Sequence, residues 1–96
     1  MQSRFLVTYD ISDDERRTLV FKTLRGYGDH IQYSVFRCDL SEMQRVTLVA
    51  ALHPLINHSE DQILVIDLGP VDGRGAGCIV PIGRRYFSPE RTVIVI

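Results

Sequence analysis

The stretch Phe5-Leu6-Val7-Thr8-Tyr9-Asp10-Ile11-Ser12-Asp13-Asp14-Glu15-Arg16-Arg17 decides how the chain begins to fold. Phe5 to Tyr9 are aromatic, aliphatic or β-branched, which suits a buried strand. Ser12, followed three residues later by Glu15, spells a capping box, so a helix is expected to open there. Asp10 then sits where the carboxyl end of a strand meets the amino end of a helix. Functional groups gather at that edge in open sheets. Aspartate is also an ordinary turn residue, so position alone leaves Asp10 open between turn and site.

Downstream, the expected first helix covers residues 13–25. Arg17, Val20, Phe21 and Leu24 recur at i, i+3, i+4 and i+7 and form one sheet-facing stripe. On this reading Arg17 begins the inward stripe and Arg16, beside it, is more open to solvent. Gly26 is a suitable stop. His30-Ile31-Gln32 and Val35-Phe36-Arg37-Cys38 read as two short strands around Tyr33-Ser34. Tyr-Ser is not a favoured two-residue turn, and one bulged strand is the alternative. Ser41 with Gln44 forms a second capping box, opening a helix over residues 42–52. Pro54 keeps His53 out of a helix interior. Residues 63–68 read as a strong strand, apolar on both faces apart from Asp67. Residues 69–77 carry Gly69, Pro70, Gly73, Gly75 and Gly77, which predicts a mobile loop. Residues 78–82 read as a short strand, with Pro81 pointing to a sheet edge. Residues 92–96 are a last β-rich run.

The order of the first six elements is βαββαβ, the ferredoxin-like split unit of the α+β class, with extra short strands at the C-terminus. The expected organisation is one domain over residues 1–96 with a strand extension at 78–96. Right-handed crossovers put the first strand beside the third and both helices on one sheet face. The other face is bare. Yet Ile63 and Val65 together with Leu64, Ile66 and Leu68 supply apolar groups to both faces. Leu6 and Thr8 face away from the Phe5-Val7-Tyr9 side, and a bare face of that kind calls for a partner. A symmetric homodimer is the commonest solution.

Composition narrows the class. The chain has 96 residues, 45% apolar and 24% charged, with a net charge of −1. That lacks the strongly basic signature of a typical nucleic-acid binder, so any such surface must be local. Cys38 and Cys78 are too few and too distant for a disulfide framework or a zinc site. A reduced cytoplasmic setting is the default. No apolar run approaches membrane-spanning length, and the N-terminus does not read as a signal peptide.

In this topology the end of the first strand, the start of the first helix and the Tyr33-Ser34 turn share one edge. Asp10, Arg16, Arg17, Ser34 and Phe36 therefore converge there, which favours the hairpin. Asp10 alternates with Leu6 and Thr8 and leans toward the bare face. Face-to-face pairing brings two copies of Asp10 together. Mg²⁺ commonly takes one or two carboxylates, several waters and a substrate phosphate. A cation there serves phosphodiester chemistry, and nearby arginines can clamp phosphate oxygens.

Tyr9-Asp10-Ile11-Ser12, Arg16-Arg17, and Gly28 followed by Gln32-Tyr33-Ser34-Val35-Phe36 resemble the second CRISPR-associated protein family (Cas-two). The resemblance spans roughly residues 5–68. It implies a ferredoxin-like homodimer with metal-dependent endonuclease activity on RNA or double-stranded DNA. It also implies a role in spacer acquisition alongside the integrase subunit of the same system. By the same resemblance, the metal aspartate corresponds to Asp10. The activity-linked tyrosine, arginine, serine and phenylalanine correspond to Tyr9, Arg16 or Arg17, Ser34 and Phe36. Two features depart from the pattern. His30 stands where the family usually has a basic residue, so a phosphate contact there becomes pH-dependent. Asp13-Asp14-Glu15 also adds negative charge at the edge.

Each residue has a plain reading as well. Tyr9 shares the parity of Phe5 and Val7 and suits the core. Phe36 suits packing, Ser34 a turn, and Arg17 a surface pair with Asp14 or Glu15. The fold also serves RNA-recognition domains, but their open face carries two or three aromatics, and here Phe36 alone does not make that platform. A DNA-holding scaffold of the acquisition complex and a toxin-like ribonuclease of related fold remain as alternatives. The sequence does not separate nuclease from scaffold.

Overall fold

Strand β1 (Ser3–Asp10) runs through the middle of the sheet, and every buried element packs around it. The structure, a computed structural model, describes residues 1–84; residues 92–96, expected as a last strand, lie outside the described residues. Helix α1 (Asp14–Arg25), strands β2 (Asp29–Gln32) and β3 (Val35–Leu40), helix α2 (Glu42–Leu52) and strand β4 (Gln62–Pro70) follow in order. The sheet order is β2-β3-β1-β4, with β1 antiparallel to both β3 and β4. This is the βαββαβ arrangement expected from the sequence. Among the described residues no helix is long and apolar enough to cross a membrane.

Alternation along β1 divides the molecule. Phe5, Val7 and Tyr9 are buried with Val20 and Leu24 of α1, Phe36, Cys38 and Leu40 of β3, and Leu48 and Leu52 of α2. Burial raises the Cys38 thiol pKa to about 12, with Asp29 and Asp39 adding to the effect, so it is no nucleophile. On the opposite side Leu6 pairs with Ile66 and Thr8 with Leu64. Leu64 and Ile66 remain 47% and 41% exposed. Both helices lie on the Phe5-Val7-Tyr9 side, so this apolar surface has no helix over it.

Ser41 caps α2 with the reciprocal Gln44 bond, as the sequence predicts. The first helix differs. Its cap is Asp13, whose Oδ2 accepts the Arg16 N–H at 2.9 Å, in place of the expected Ser12. Aspartate caps as well as serine, and the backbone N–H of Ser12 is directed to Asp61 instead. The hairpin is present, with Tyr33 at φ 33°.

The glycine-rich segment is more ordered than a plain loop. Gly69 and Pro70 extend β4, and residues Arg74–Gly77 make one 3₁₀ turn. Arg4 forks onto Asp39 and also donates to the Gly75 carbonyl at 3.1 Å, which draws that turn onto β1. Residues 78–82, expected as a strand, make no ladder. Val80 and Ile82 are 77% and 98% exposed. Pro81 lacks an N–H, and no strand among the described residues pairs with this segment.

Candidate functional site

Asp10 ends β1 opposite Gln62 of β4, with its side chain exposed. Among the described residues no side chain or backbone group bonds its carboxylate. It stands on the same side of β1 as Leu6 and Thr8, at the edge where α1 begins.

The two arginines behind it take different partners, in the reverse of the expected sense. Arg16 donates from Nε to Asp61 Oδ2 at 2.6 Å and from Nη2 to Asp61 Oδ1 at 3.1 Å, with Glu60 at 3.3 Å. The Asp61 side chain has no solvent contact. It also accepts the Asn57 N–H at 2.9 Å. One carboxylate thus joins the turn after Asp10 to the turn before β4. The hydrogen bond from Arg16, helped by the Asn57 and Ser12 amides, holds the Asp61 carboxyl below the usual carboxylate range.

A folded-state pKa below the unfolded value stabilises the protein above the unfolded pKa of roughly 3.9. That contribution disappears as pH falls through the folded pKa. Asp61→Asn is therefore expected to melt lower than wild type at pH 7. The gap should close as pH falls below about 4 in thermal melts taken across the acid range. A pH-independent gap would refute the charge pairing as its cause.

Arg17 is the more exposed of the pair. Its guanidinium donates to the Ile11 carbonyl at 2.9 Å and pairs with Asp14. It lines a cleft of about 430 Å³ with Tyr9, Thr18, Phe21, Tyr33 and Ser34. The Tyr9 N–H donates to the Ser34 carbonyl at 3.1 Å, fastening the hairpin turn to the end of β1. Burial raises the Tyr9 phenol above its usual pKa, partly opposed by Arg17, so it stays a neutral donor.

Phe36 is fully buried behind the cleft, with ring centroids 6.4 Å from Tyr9, 5.4 Å from Phe21 and 5.0 Å from His30. His30 is exposed, and its Nε2 is hydrogen-bonded to the Tyr33 carbonyl. Of the residues expected to meet, Tyr9, Arg17 and Ser34 share the cleft. Asp10 follows Tyr9 on the other face of the strand. Phe36 lies in the core, Arg16 turns to Asp61, and His30 supports the hairpin.

Among the described residues no three His, Cys, Asp or Glu side chains are gathered to hold a cation. At this edge Asp10 offers a carboxylate that no group among the described residues bonds.

The sequence profile of the family described as CRISPR associated protein Cas2 matches residues 3–72, from the start of β1 to just past β4. The chain belongs to the Cas2 family. It is 39% identical to the CRISPR-associated endoribonuclease Cas2 of Geobacter sulfurreducens, over the whole of both chains. It is 36% identical over 92 residues to CRISPR-associated endoribonuclease Cas2 1 of Rhodospirillum rubrum, covering 96% of this chain and 89% of that one. A hypothetical protein from Thermus thermophilus superposes with a TM-score of 0.72 at 29% identity, covering 91% of this chain and all of that one. Cas2 of Streptococcus pyogenes, crystallised at pH 6.5, gives 0.68 at 28% identity, covering 83% and 99%.

Within this Cas2 chain, three residues of the edge escaped the sequence reading. Asp61 was taken as part of a polar turn, although its place directly before a strong strand was a weak signal. Asp13 reads from the sequence as the first helical residue and as surplus charge, not as the cap. Tyr33 reads from the sequence as an unsuitable turn residue inside the family-like run from Gln32 to Phe36, with no role of its own, and that unsuitability was itself the signal.

Proposed function

We propose that the protein is a symmetric homodimer that hydrolyses RNA phosphodiester bonds with a divalent cation, Mg²⁺, held between the Asp10 carboxylates of its two protomers. The observation that carries this reading is Asp10 itself: an exposed carboxylate without a bonding partner among the described residues, on the helix-free face beside exposed Leu64 and Ile66. Its oxygen donors suit a hard cation, and two such carboxylates suit Mg²⁺ better than one. When bound, the cation supplies Lewis acidity toward the phosphodiester. Arg17 offsets phosphate charge, and the neutral Tyr9 phenol and the Ser34 hydroxyl offer hydrogen bonds in the adjoining cleft. The relatives named endoribonucleases support RNA as the substrate.

The test is cleavage of RNA and of duplex DNA by purified protein with Mg²⁺ or with EDTA. RNA cut only with Mg²⁺ is the expected result. Cleavage that persists in EDTA removes the metal. The second reading is a non-catalytic scaffold that holds DNA beside the integrase subunit during spacer acquisition. The observation favouring it is that one chain gathers no cation site among its described residues.

Dimerisation has its own test. Leu64→Asp puts one charge per protomer into the paired face. An uncompensated buried charge costs about 3–5 kcal/mol, so the dimer should weaken by at least ~10²-fold. Sedimentation at micromolar protein is expected to give a dimer for wild type and a monomer for Leu64→Asp. A wild-type monomer would count against the shared site.

A further inference from the structure

Tyr33 occupies the hairpin turn with φ 33°, in the left-handed region. A bulky side chain adopts that backbone only at an energetic cost, and glycine or asparagine serves such turns better. Nothing in the packing offsets the cost, because Tyr33 is 90% exposed. Its backbone is nonetheless held from both sides. The His30 ring bonds its carbonyl, and the next carbonyl, of Ser34, accepts from Tyr9. The ring is thereby kept at the rim of the cleft that Tyr9, Phe21 and Ser34 line. At about 430 Å³ that cleft falls within the roughly 300–1,000 Å³ usual for small-molecule sites. Arg17 uses two guanidinium N–H groups on Ile11 and Asp14, and its others have no partner among the described residues. The Ser34 hydroxyl likewise has none.

We propose that this cleft is a nucleotide subsite for single-stranded RNA, in which Tyr33 stacks on an unpaired base while Arg17 takes the neighbouring phosphate. The inference rests on the ribonuclease reading and assigns the base contact at that site to Tyr33. An exposed aromatic ring beside a guanidinium is the chemistry that receives splayed-out bases, whereas a duplex keeps its base faces stacked internally. Strain at Tyr33 is then the cost of presenting a ring where a turn alone needs none.

The test uses the full chain as wild type, Tyr33→Asn and Tyr33→Phe, in EDTA at fixed salt. The probe is a short single-stranded RNA carrying 2-aminopurine, whose fluorescence is quenched by stacking; a matched RNA duplex is the control. Asparagine tolerates the left-handed turn, so Tyr33→Asn should melt at or above the wild-type temperature. It should lose the quenching and bind single-stranded RNA roughly 5- to 150-fold more weakly, the usual effect of deleting one base-stacking aromatic. Tyr33→Phe should keep both properties, and duplex affinity should not change in any variant. Equal quenching and affinity in Tyr33→Asn and wild type overturn the subsite, as does a lowered melting temperature that accounts for the lost binding. A wild type that cleaves RNA while Tyr33→Asn binds normally leaves the ribonuclease reading standing without the subsite. A wild type that stacks RNA on Tyr33 but never cleaves it with Mg²⁺ does the reverse.

Discussion

Asp10→Asn is expected to lower RNA cleavage by at least ~10²–10³-fold, the usual cost of one lost transition-state contact, without disturbing fold or dimer. The amide conserves volume but removes the charge, and symmetry removes it from both sides of the shared site at once. No structural penalty accompanies the change, because no group among the described residues bonds this carboxylate. Single-turnover cleavage at saturating Mg²⁺ measures the effect, with a melt and a sedimentation run on the same preparation. Equal cleavage by the variant would end the catalytic role and leave the scaffold. Mixed dimers sharpen the result. If the two Asp10 carboxylates share one cation, a dimer with a single Asp10→Asn subunit is crippled as a whole. If each chain worked alone, it would retain half the activity.

The fold was legible because its signals are local. The capping box at Ser41 and Gln44 placed α2, and the run of aromatic, aliphatic and β-branched residues from Phe5 to Tyr9 placed β1. The order of six elements then left one plausible sheet. The hairpin was read from topology against its turn residues, and Tyr33 at φ 33° explains the conflict. The strand expected over residues 78–82 failed for a matching reason. Apolar β-branched residues describe what can pair, and here no strand among the described residues pairs with them.

The site was legible only in part. Asp10, Arg17 and Ser34 could be brought to one edge by topology, whereas Tyr9 entered only through the family resemblance. The stripe reading turned Arg17 inward and left Arg16 open to solvent, and the structure reverses their exposure. Arg16 and Arg17 sit four and three residues before Val20, so periodicity points both toward the same face. The deciding partner, Asp61, is 45 residues further along the chain. A pairing of that range leaves no trace in a local window. Phe36 belongs to the edge by sequence but is sealed behind Tyr9 and Phe21, because alternation along β3 sends it into the core with Cys38 and Leu40.

Gly28→Ala is expected to lower stability sharply, because a Cβ there would approach backbone more closely than at any other described glycine. Gly28 lies between α1 and β2, where the chain passes over β3. Its N–H donates to the Leu24 carbonyl at 3.0 Å, which fixes how closely the backbone approaches. A Cβ there would lie 2.3 Å from the Arg37 carbonyl oxygen, 2.5 Å from Cys38 Sγ and 2.9 Å from Cys38 Cα. Two of those three atoms are backbone of a strand hydrogen-bonded into the sheet, and the third is in the core. None can retreat as the tip of a flexible side chain would. Overpacking of this kind costs about 1–3 kcal/mol, and clashes with backbone belong at the upper end. For a domain of this size, ~3 kcal/mol lowers Tm by roughly 12–24 °C. Melts at fixed protein concentration, which holds any dimer contribution constant, give the measurement. Cys38→Ala supplies the control, since it removes only the sulfur contact. If Gly28→Ala costs nearly as much in that background, the Arg37 carbonyl is the obstacle. The hairpin must then shift, carrying Tyr33 and Ser34 away from the end of β1. Cleavage should accordingly fall even at temperatures where the variant remains folded. A Tm unchanged from wild type would mean that β2 moves aside freely, and that Gly28 does not set the closeness of the hairpin to the site.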